Sequence, residues 1–329
     1  MTEEQIRGSL SDVLVPGVGR SLVMMNLVRE VTVSGQRVNI TLAAAALNAE
    51  IQDLIRAKTK TVVEKLSGVK TVAVEFTEVK PAELNQFSQI IAVMSGKGGV
   101  GKSLVSGLIA VGLRRQGYEV GILDADITGS SIPRMFGVTA RPSGSANGFL
   151  PVISESGIEL MSINLLLPSE DDAVIWRGPL ISGAITQFWE EVLWGKLDYL
   201  ILDMPPGTAD ASLTVLRTLP ISGIIIASTP QDLTAMIVRK AVNMATKMNK
   251  TILGVVENMS YLYVSEIDKR IEIFGKSKGE ELARSAHAPL LGQLPIDPEL
   301  AKMCDEGTIE RYTSDAFSSM TQALTRVLS

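Results

Sequence analysis

Thiol and imidazole side chains are nearly absent from this 329-residue sequence, which has one cysteine, Cys304, and one histidine, His287. A single thiol excludes an intrachain disulfide and any metal site that needs several thiolates from one chain. His287 precedes Ala288-Pro289 in a connecting segment and reads as structural rather than as a ligand. Long apolar runs are also missing. The longest, such as residues 221–227, have the length of a strand, so no membrane span is expected. Residues 316–328 suit an amphipathic helix, but Arg326 is their only cation, which favours packing over membrane binding. Positive charge is not in excess. The net charge of −5 argues against a broad nucleic-acid surface. The N-terminus, Met-Thr-Glu-Glu-Gln, lacks the cationic start and apolar core of a signal peptide, so a cytoplasmic location is expected.

What the chain has is ample core material, with 46% hydrophobic and 20% charged residues, and room for one large or two smaller domains. Its centre is Ser95-Gly96-Lys97-Gly98-Gly99-Val100-Gly101-Lys102-Ser103. This stretch follows an apolar run at 90–94 and precedes Leu104, Leu108, Val111 and Leu113 at roughly helical spacing. A strand, GxxxxGK[ST] and a helix in that order form a phosphate-binding loop. Backbone N–H groups from Gly96 through Gly101, Lys97 and Val100 included, turn inward around phosphate oxygens, helped by the positive end of the following helix. Lys102 neutralises the β- and γ-phosphates, and the Ser103 hydroxyl holds Mg²⁺.

From residue 89 onward, short apolar strands alternate with helical patterns, which implies a mostly parallel sheet with helices on both faces. A strand at 120–123 delivers Asp124-Ala125-Asp126 to the sheet edge where ligands of open α/β sheets bind. Asp126 is thereby placed near Mg²⁺ and the γ-phosphate, able to orient an attacking water. Residues 199–202 form another apolar strand, ending in Asp203, which binds Mg²⁺ directly or through water. Met204-Pro205-Pro206-Gly207-Thr208 follows, and the Gly207 amide is placed to sense the γ-phosphate. Residues 141–148 are a flexible loop by composition.

Residues 1–80 read as a separate small α/β domain. Val31 and Val33, a Ser34-Gly35 turn, then Val38, Ile40 and Leu42 predict a hairpin. A helix spaced on Ile51, Leu54, Ile55, Val62, Val63 and Leu66 follows, ended by Gly68, and then a strand through Val72, Val74 and Phe76. Residues 81–88 read as a linker, and 89–329 as the nucleotide-binding domain.

The octapeptide Gly-Lys-Gly-Gly-Val-Gly-Lys-Ser resembles the deviant P-loop of the family that includes MinD, ParA and the nitrogenase iron protein. That resemblance implies an α/β P-loop ATPase fold and a homodimer in which Lys97 crosses to the partner's phosphates, as an arginine finger does. More specifically, the chain resembles Mrp/ApbC-type iron–sulfur cluster carriers. The likeness rests on residues 127–135 after Asp126, on Ile175-Trp176-Arg177-Gly178-Pro179, on Arg239-Lys240, on Asn258-Met259-Ser260-Tyr261, and on Leu294-Pro295-Ile296-Asp297-Pro298. The family's usual Tyr and Pro after Asp126 are Thr128 and Ser130 here. By that resemblance Asn258 contacts adenine, Pro295 and Asp297 belong to a second adenine-side loop, and Trp176 with Arg177 couples a switch to a subunit interface. The small domain resembles the iron–sulfur-assembly domain that precedes many Mrp proteins. Its likeness lies in residues 15–23, the hairpin and Gly68-Val69, but Ala43-Ala44-Ala45-Ala46-Leu47-Asn48 replaces the family's Thr-Thr-Pro-Ala-Cys-Pro.

The family's Cys-x-x-Cys, which supplies a bridging [4Fe–4S] cluster at the dimer interface, falls at Val264 and Ile267, so no iron–sulfur ligand is present there. The resemblance implies an ATP-hydrolysing cluster carrier serving apo-proteins or assembly factors, with ATP and Mg²⁺. The lost cysteines point instead to an ATP-gated dimeric switch that has shed its cluster. A DNA-partitioning role is disfavoured by the net charge, and neither nucleic acid nor membrane is an expected partner.

Overall fold

The computed structural model describes residues 2–126, 129–166, 178–207, 210–264 and 267–328, with side chains left aside at 178–182, 210–211 and 232–238. Thr128, Trp176 and Arg177 therefore lie outside the described residues. The chain forms two compact units.

The first unit contains residues 1–87 together with 141–153 and 187–197. Strands β1 (Val28–Ser34) and β2 (Arg37–Ala43) form the antiparallel hairpin, with Gly35 at φ +62° in its turn. That left-handed value suits glycine and the twist of a two-residue hairpin turn. Helix α1 (Glu3–Ser9) precedes the hairpin, and α2 (Ala49–Val63) follows it. The Asn48 side chain caps α2 by accepting from the Ile51 N–H at 2.9 Å. The chain then returns as β3 (Thr71–Thr77), parallel to β2. Ile6, Val38, Ile40, Leu42, Ile55 and Val63 close the core. Leu54, on the same periodic pattern, points outward and is 45% exposed.

The stretch expected as a linker is instead a single helical turn, Pro81–Leu84, followed by the start of β4 (Gln86–Ser95). The segment 187–197 is tied into this unit by the Asn85 side chain. The Asn85 amide donates to the Val192 carbonyl at 2.9 Å and accepts from the Trp194 N–H at 2.8 Å. The supposed loop at 141–148 contains a small antiparallel pair, Gly144–Ser145 with Gly148–Phe149.

The second unit is built on a sheet ordered β12-β9-β8-β4-β7-β5-β6. These strands are β4, β5 (Val120–Asp124), β6 (Glu159–Ser162), β7 (Lys196–Asp203), β8 (Gly223–Ser228), β9 (Ile252–Glu257) and β12 (Leu290–Gln293). Neighbours β7/β5, β8/β9, β8/β4, β9/β12 and β5/β6 all run parallel. Strands β5 and β8 are buried along their whole length, as expected where a parallel sheet is covered on both sides. The helices are α3 (Lys102–Arg115), α4 (Gly178–Glu191), α5 (Asp210–Thr218), α6 (Asp232–Lys247), α7 (Gly279–Ser285), α8 (Pro298–Asp305) and α9 (Asp315–Leu328), and a short hairpin, β10 (Leu262–Val264) with β11 (Lys269–Ile271), lies beside them. Among the described residues no helix is long and apolar enough to cross a membrane.

The C-terminal helix α9 turns Phe317, Met320 and Leu324 inward. Two glycines admit it. A Cβ on Gly112 would stand 2.6 Å from Thr321 Oγ1, and one on Gly292 would stand 2.8 Å from Met320 Cβ. Parallel register then collects the polar ends of the strands. Asp203 lies opposite Asp124, and Ser95 opposite Ala227, along one edge of the sheet.

Candidate nucleotide site

Residues 96–101 leave β4 and re-enter as α3. Gly99 and Gly101 hold φ of +79° and +80°, values that side-chain-bearing residues adopt only with strain. Gly98 and Gly99 are exposed. The Ser95 hydroxyl donates to the Lys97 carbonyl at 2.9 Å, tying the start of the loop to its strand. On the far side, the Asn258 amide donates to the Val100 carbonyl at 3.0 Å. A Cβ at Gly101 would collide with that same amide nitrogen. Asn258 thus packs directly against the loop, and it is buried.

Lys102 opens α3 and is 6% exposed. Its ammonium lies 2.7 Å from Asp203 Oδ1 and 3.4 Å from Asp126 Oδ2. A buried ammonium needs such partners, because desolvation otherwise expels its charge. Asp203 is fully buried and also accepts from Ser103 Oγ at 2.5 Å and Ser106 Oγ at 2.7 Å. Ser103, Asp203 and Asp126 present hard oxygen donors around one lysine, a set suited to Mg²⁺ rather than to a soft metal. Among the described residues no group of three or more His, Cys, Asp or Glu side chains forms a metal cluster.

Asp124 lies beneath Asp126 and is fully buried. Burial, and next the neighbouring Asp203 charge, push its pKa up to about 7. Its Oδ1 accepts the Asp126 N–H at 3.1 Å, and its Oδ2 accepts Ser130 Oγ at 2.6 Å and Ser162 Oγ at 3.3 Å. The Ala125 N–H donates to the Asp203 carbonyl at 2.9 Å, which locks the two carboxylate-bearing strand ends together.

The structure therefore brings Lys102, Ser103, Asp126 and Asp203 into one cluster and packs Asn258 on the loop. Gly207 joins them through its backbone, with φ +79° and its N–H donating to the Ser95 carbonyl at 3.1 Å. The Lys97 ammonium donates to Gln231 Oε1 at 2.6 Å. Pro295 and Asp297 line a cleft of about 880 Å³ together with Tyr261, Tyr263 and Arg270. Asp297 has structural work there. Its Oδ1 caps α8 by accepting from Glu299 N–H at 2.9 Å, and its Oδ2 accepts from the Tyr312 hydroxyl at 2.7 Å. Val264 ends β10 and Ile267 is 62% exposed, so the hairpin offers no thiolate at either position. Cys304 is half-buried on α8, and burial pushes its thiol up to about 11, away from the reactive thiolate form.

Sequence reasoning missed Ser106, Ser130, Ser162 and Gln231. Ser106 had the one local signal, its position four residues after Lys102, which places it over the same helix face.

The sequence pattern of the NUBPL iron-transfer P-loop NTPases matches residues 86–329, and that of an iron-sulfur cluster assembly protein family matches residues 3–76. The chain is 36% identical over 340 residues to an iron-sulfur cluster carrier protein of Synechocystis, spanning 99% of this chain and 96% of the relative. A solved nucleotide-binding protein of Archaeoglobus fulgidus in complex with ADP is 45% identical, with a TM-score of 0.63 over 70% of this chain and 91% of its own. MinD of Aquifex aeolicus, at 19% identity and a TM-score of 0.51 over 73% of this chain and 96% of its own, shares the fold.

Proposed function

The chain belongs to the NUBPL-type iron-transfer P-loop NTPases, and on that premise we propose that it is a cytoplasmic, Mg²⁺-dependent ATPase with slow turnover that carries iron–sulfur clusters to apo-proteins as a nucleotide-dependent homodimer. The observation that carries the ATPase reading is Lys102, buried at the head of α3 between Asp203 and Asp126. A lysine held there lies where β- and γ-phosphates seated on the loop amides present their charge.

Phosphoryl transfer of this kind needs positioning and charge stabilisation more than a strong base. The amides from Gly96 through Gly101 cradle the phosphates. Ser103 and Asp203, with Asp126 nearby, would hold Mg²⁺, which when bound neutralises charge on the β- and γ-oxygens. Asp126 orients the attacking water. Gly207 senses the γ-phosphate by exchanging its bond to Ser95 for one to the nucleotide. Asn258, beside the loop, and the segment of Pro295 and Asp297 lie toward the adenine. Lys97 leaves Gln231 and reaches the partner's phosphates.

Val264 and Ile267 favour a second reading, an ATP-gated dimeric switch that no longer binds a cluster. Anaerobic reconstitution with iron and sulfide separates the two when the parent chain is run beside a Val264→Cys/Ile267→Cys double variant. Stable iron and visible absorbance on the parent support the carrier and show that other ligands hold the cargo. A cluster on the variant alone supports the switch.

A further inference from the structure

The loop that presents Asp126 is closed by a carboxylate–hydroxyl knot that the reading above leaves unused. Asp124 is 0% exposed and each of its oxygens has a separate task. Oδ1 receives the Asp126 N–H at 3.1 Å, and Oδ2 receives the Ser130 hydroxyl at 2.6 Å. The far side of the loop is held as well. Asn164 Nδ2 donates to the Ser130 carbonyl at 3.1 Å, and the Ser162 hydroxyl approaches both Asp124 and Ser130. The Gly129 N–H also donates to the Asp126 carbonyl at 3.1 Å. One buried carboxylate thus sets the distance between the two ends of the loop. The Lys102 ammonium lies 3.4 Å from Asp126 Oδ2 and 2.7 Å from Asp203 Oδ1. A displacement of Asp126 by about an ångström would break its 3.4 Å contact with Lys102, a misplacement on the scale that costs catalysts heavily.

We infer that Ser130 is a positioning residue for ATP hydrolysis: its hydroxyl, through Asp124, fixes the loop so that Asp126 meets the attacking water. This rests on the assignment of Asp126 as the water-orienting group. Hydrogen bonds to a buried carboxylate are among the stronger neutral-donor contacts, and losing the 2.6 Å bond from Ser130 leaves Oδ2 only the longer 3.3 Å bond from Ser162. Ser130 bonds to Asp124, Ser162 and Asn164 rather than to Ser103, Asp126 or Asp203, so its effect belongs to kcat rather than to nucleotide affinity.

The test is single-turnover phosphate release and steady-state ATP hydrolysis on the full-length chain, with ADP affinity and thermal midpoint measured on the same samples. Ser130→Ala lowers kcat by about tenfold while KM for ATP and ADP affinity stay within twofold. Ser130→Thr, which keeps the hydroxyl, restores kcat to within about threefold of the parent. Asp126→Asn serves as the control on the underlying assignment, and Ser130→Ala adds no further loss in that background. Unchanged turnover in Asp126→Asn would overturn the role of Asp126 itself. A crippled Asp126→Asn beside an undiminished Ser130→Ala would overturn only the role of Ser130. So would equal losses from Ser130→Ala with and without Asp126→Asn, since the effect would then bypass Asp126. If Ser130→Ala fails to fold, Ser162→Ala, whose hydroxyl makes the longer 3.3 Å bond to the same oxygen, is expected to show a smaller kcat loss with the same unchanged KM. An unaltered kcat there would likewise overturn the inference.

Discussion

Gly101→Ala isolates the geometry of the phosphate loop. Two costs follow from the structure. The backbone at Gly101 has φ +80°, and placing an L-residue in the left-handed region costs roughly 1–2 kcal/mol. The new Cβ also collides with Asn258 Nδ2, displacing the amide that holds the Val100 carbonyl, a hydrogen bond contributing about 1 kcal/mol. The loop is exposed at Gly98 and Gly99, so the variant relieves both costs by leaving this conformation rather than by unfolding. A nucleotide must then restore it. Some 2–3 kcal/mol at 1.4 kcal/mol per decade corresponds to roughly 30–140-fold weaker binding. Calorimetric titration with ADP measures that directly, and thermal denaturation without nucleotide checks that the core has not suffered. An affinity within about threefold of the parent would refute the claim that this backbone conformation, and its contact with Asn258, is the binding-competent one.

Three further outcomes follow from the same geometry. Lys97→Ala is expected to reduce ATP turnover by roughly a hundredfold or more, and to abolish ATP-dependent dimers in light scattering while leaving ADP binding to the monomer intact. Burial, and next the Asp203 charge, raise the folded Asp124 carboxyl from its ordinary 3.8 to about 7. The folded chain therefore holds an extra proton between those values and loses stability as pH rises through that window, so Asp124→Asn flattens this part of the Tm–pH curve in chelator-treated, nucleotide-free protein. Gly112→Leu overpacks the seat of α9 against Thr321 and costs roughly 1–3 kcal/mol, read as a lower urea midpoint with an unchanged slope.

Much of this site was legible in the sequence because its determinants are local or fixed by strand register. The loop glycines, Lys102 and Ser103 are consecutive, and the two aspartates end apolar strands that parallel pairing sets side by side. The resemblance to the MinD and ParA ATPases likewise matches the fold found. Contacts made across the chain were not legible. Gln231 meets Lys97 from 134 residues away, and Ser106 meets Asp203 across 97. No local pattern marks a glutamine as a lysine's partner. The small domain shows the same limit. Its hairpin and helix were readable from periodicity, whereas residues 141–153 and 187–197 join it through pairing such as that of Asn85 with Val192 and Trp194, which composition does not encode. Asp297 carries a mixed signal, since an Asp before Pro298 reads equally as a helix cap, and the structure uses it as one.

On the reading proposed above, ATP hydrolysis by this chain serves cluster delivery. Its most direct test is anaerobic activation of an apo-[4Fe–4S] acceptor enzyme by the purified chain supplied with iron, sulfide and Mg-ATP, with Lys102→Ala as the control. Faster acceptor activation that requires ATP and disappears in Lys102→Ala is the expected result. Acceptor activation at the uncatalysed rate, from a chain that still hydrolyses ATP, would contradict it.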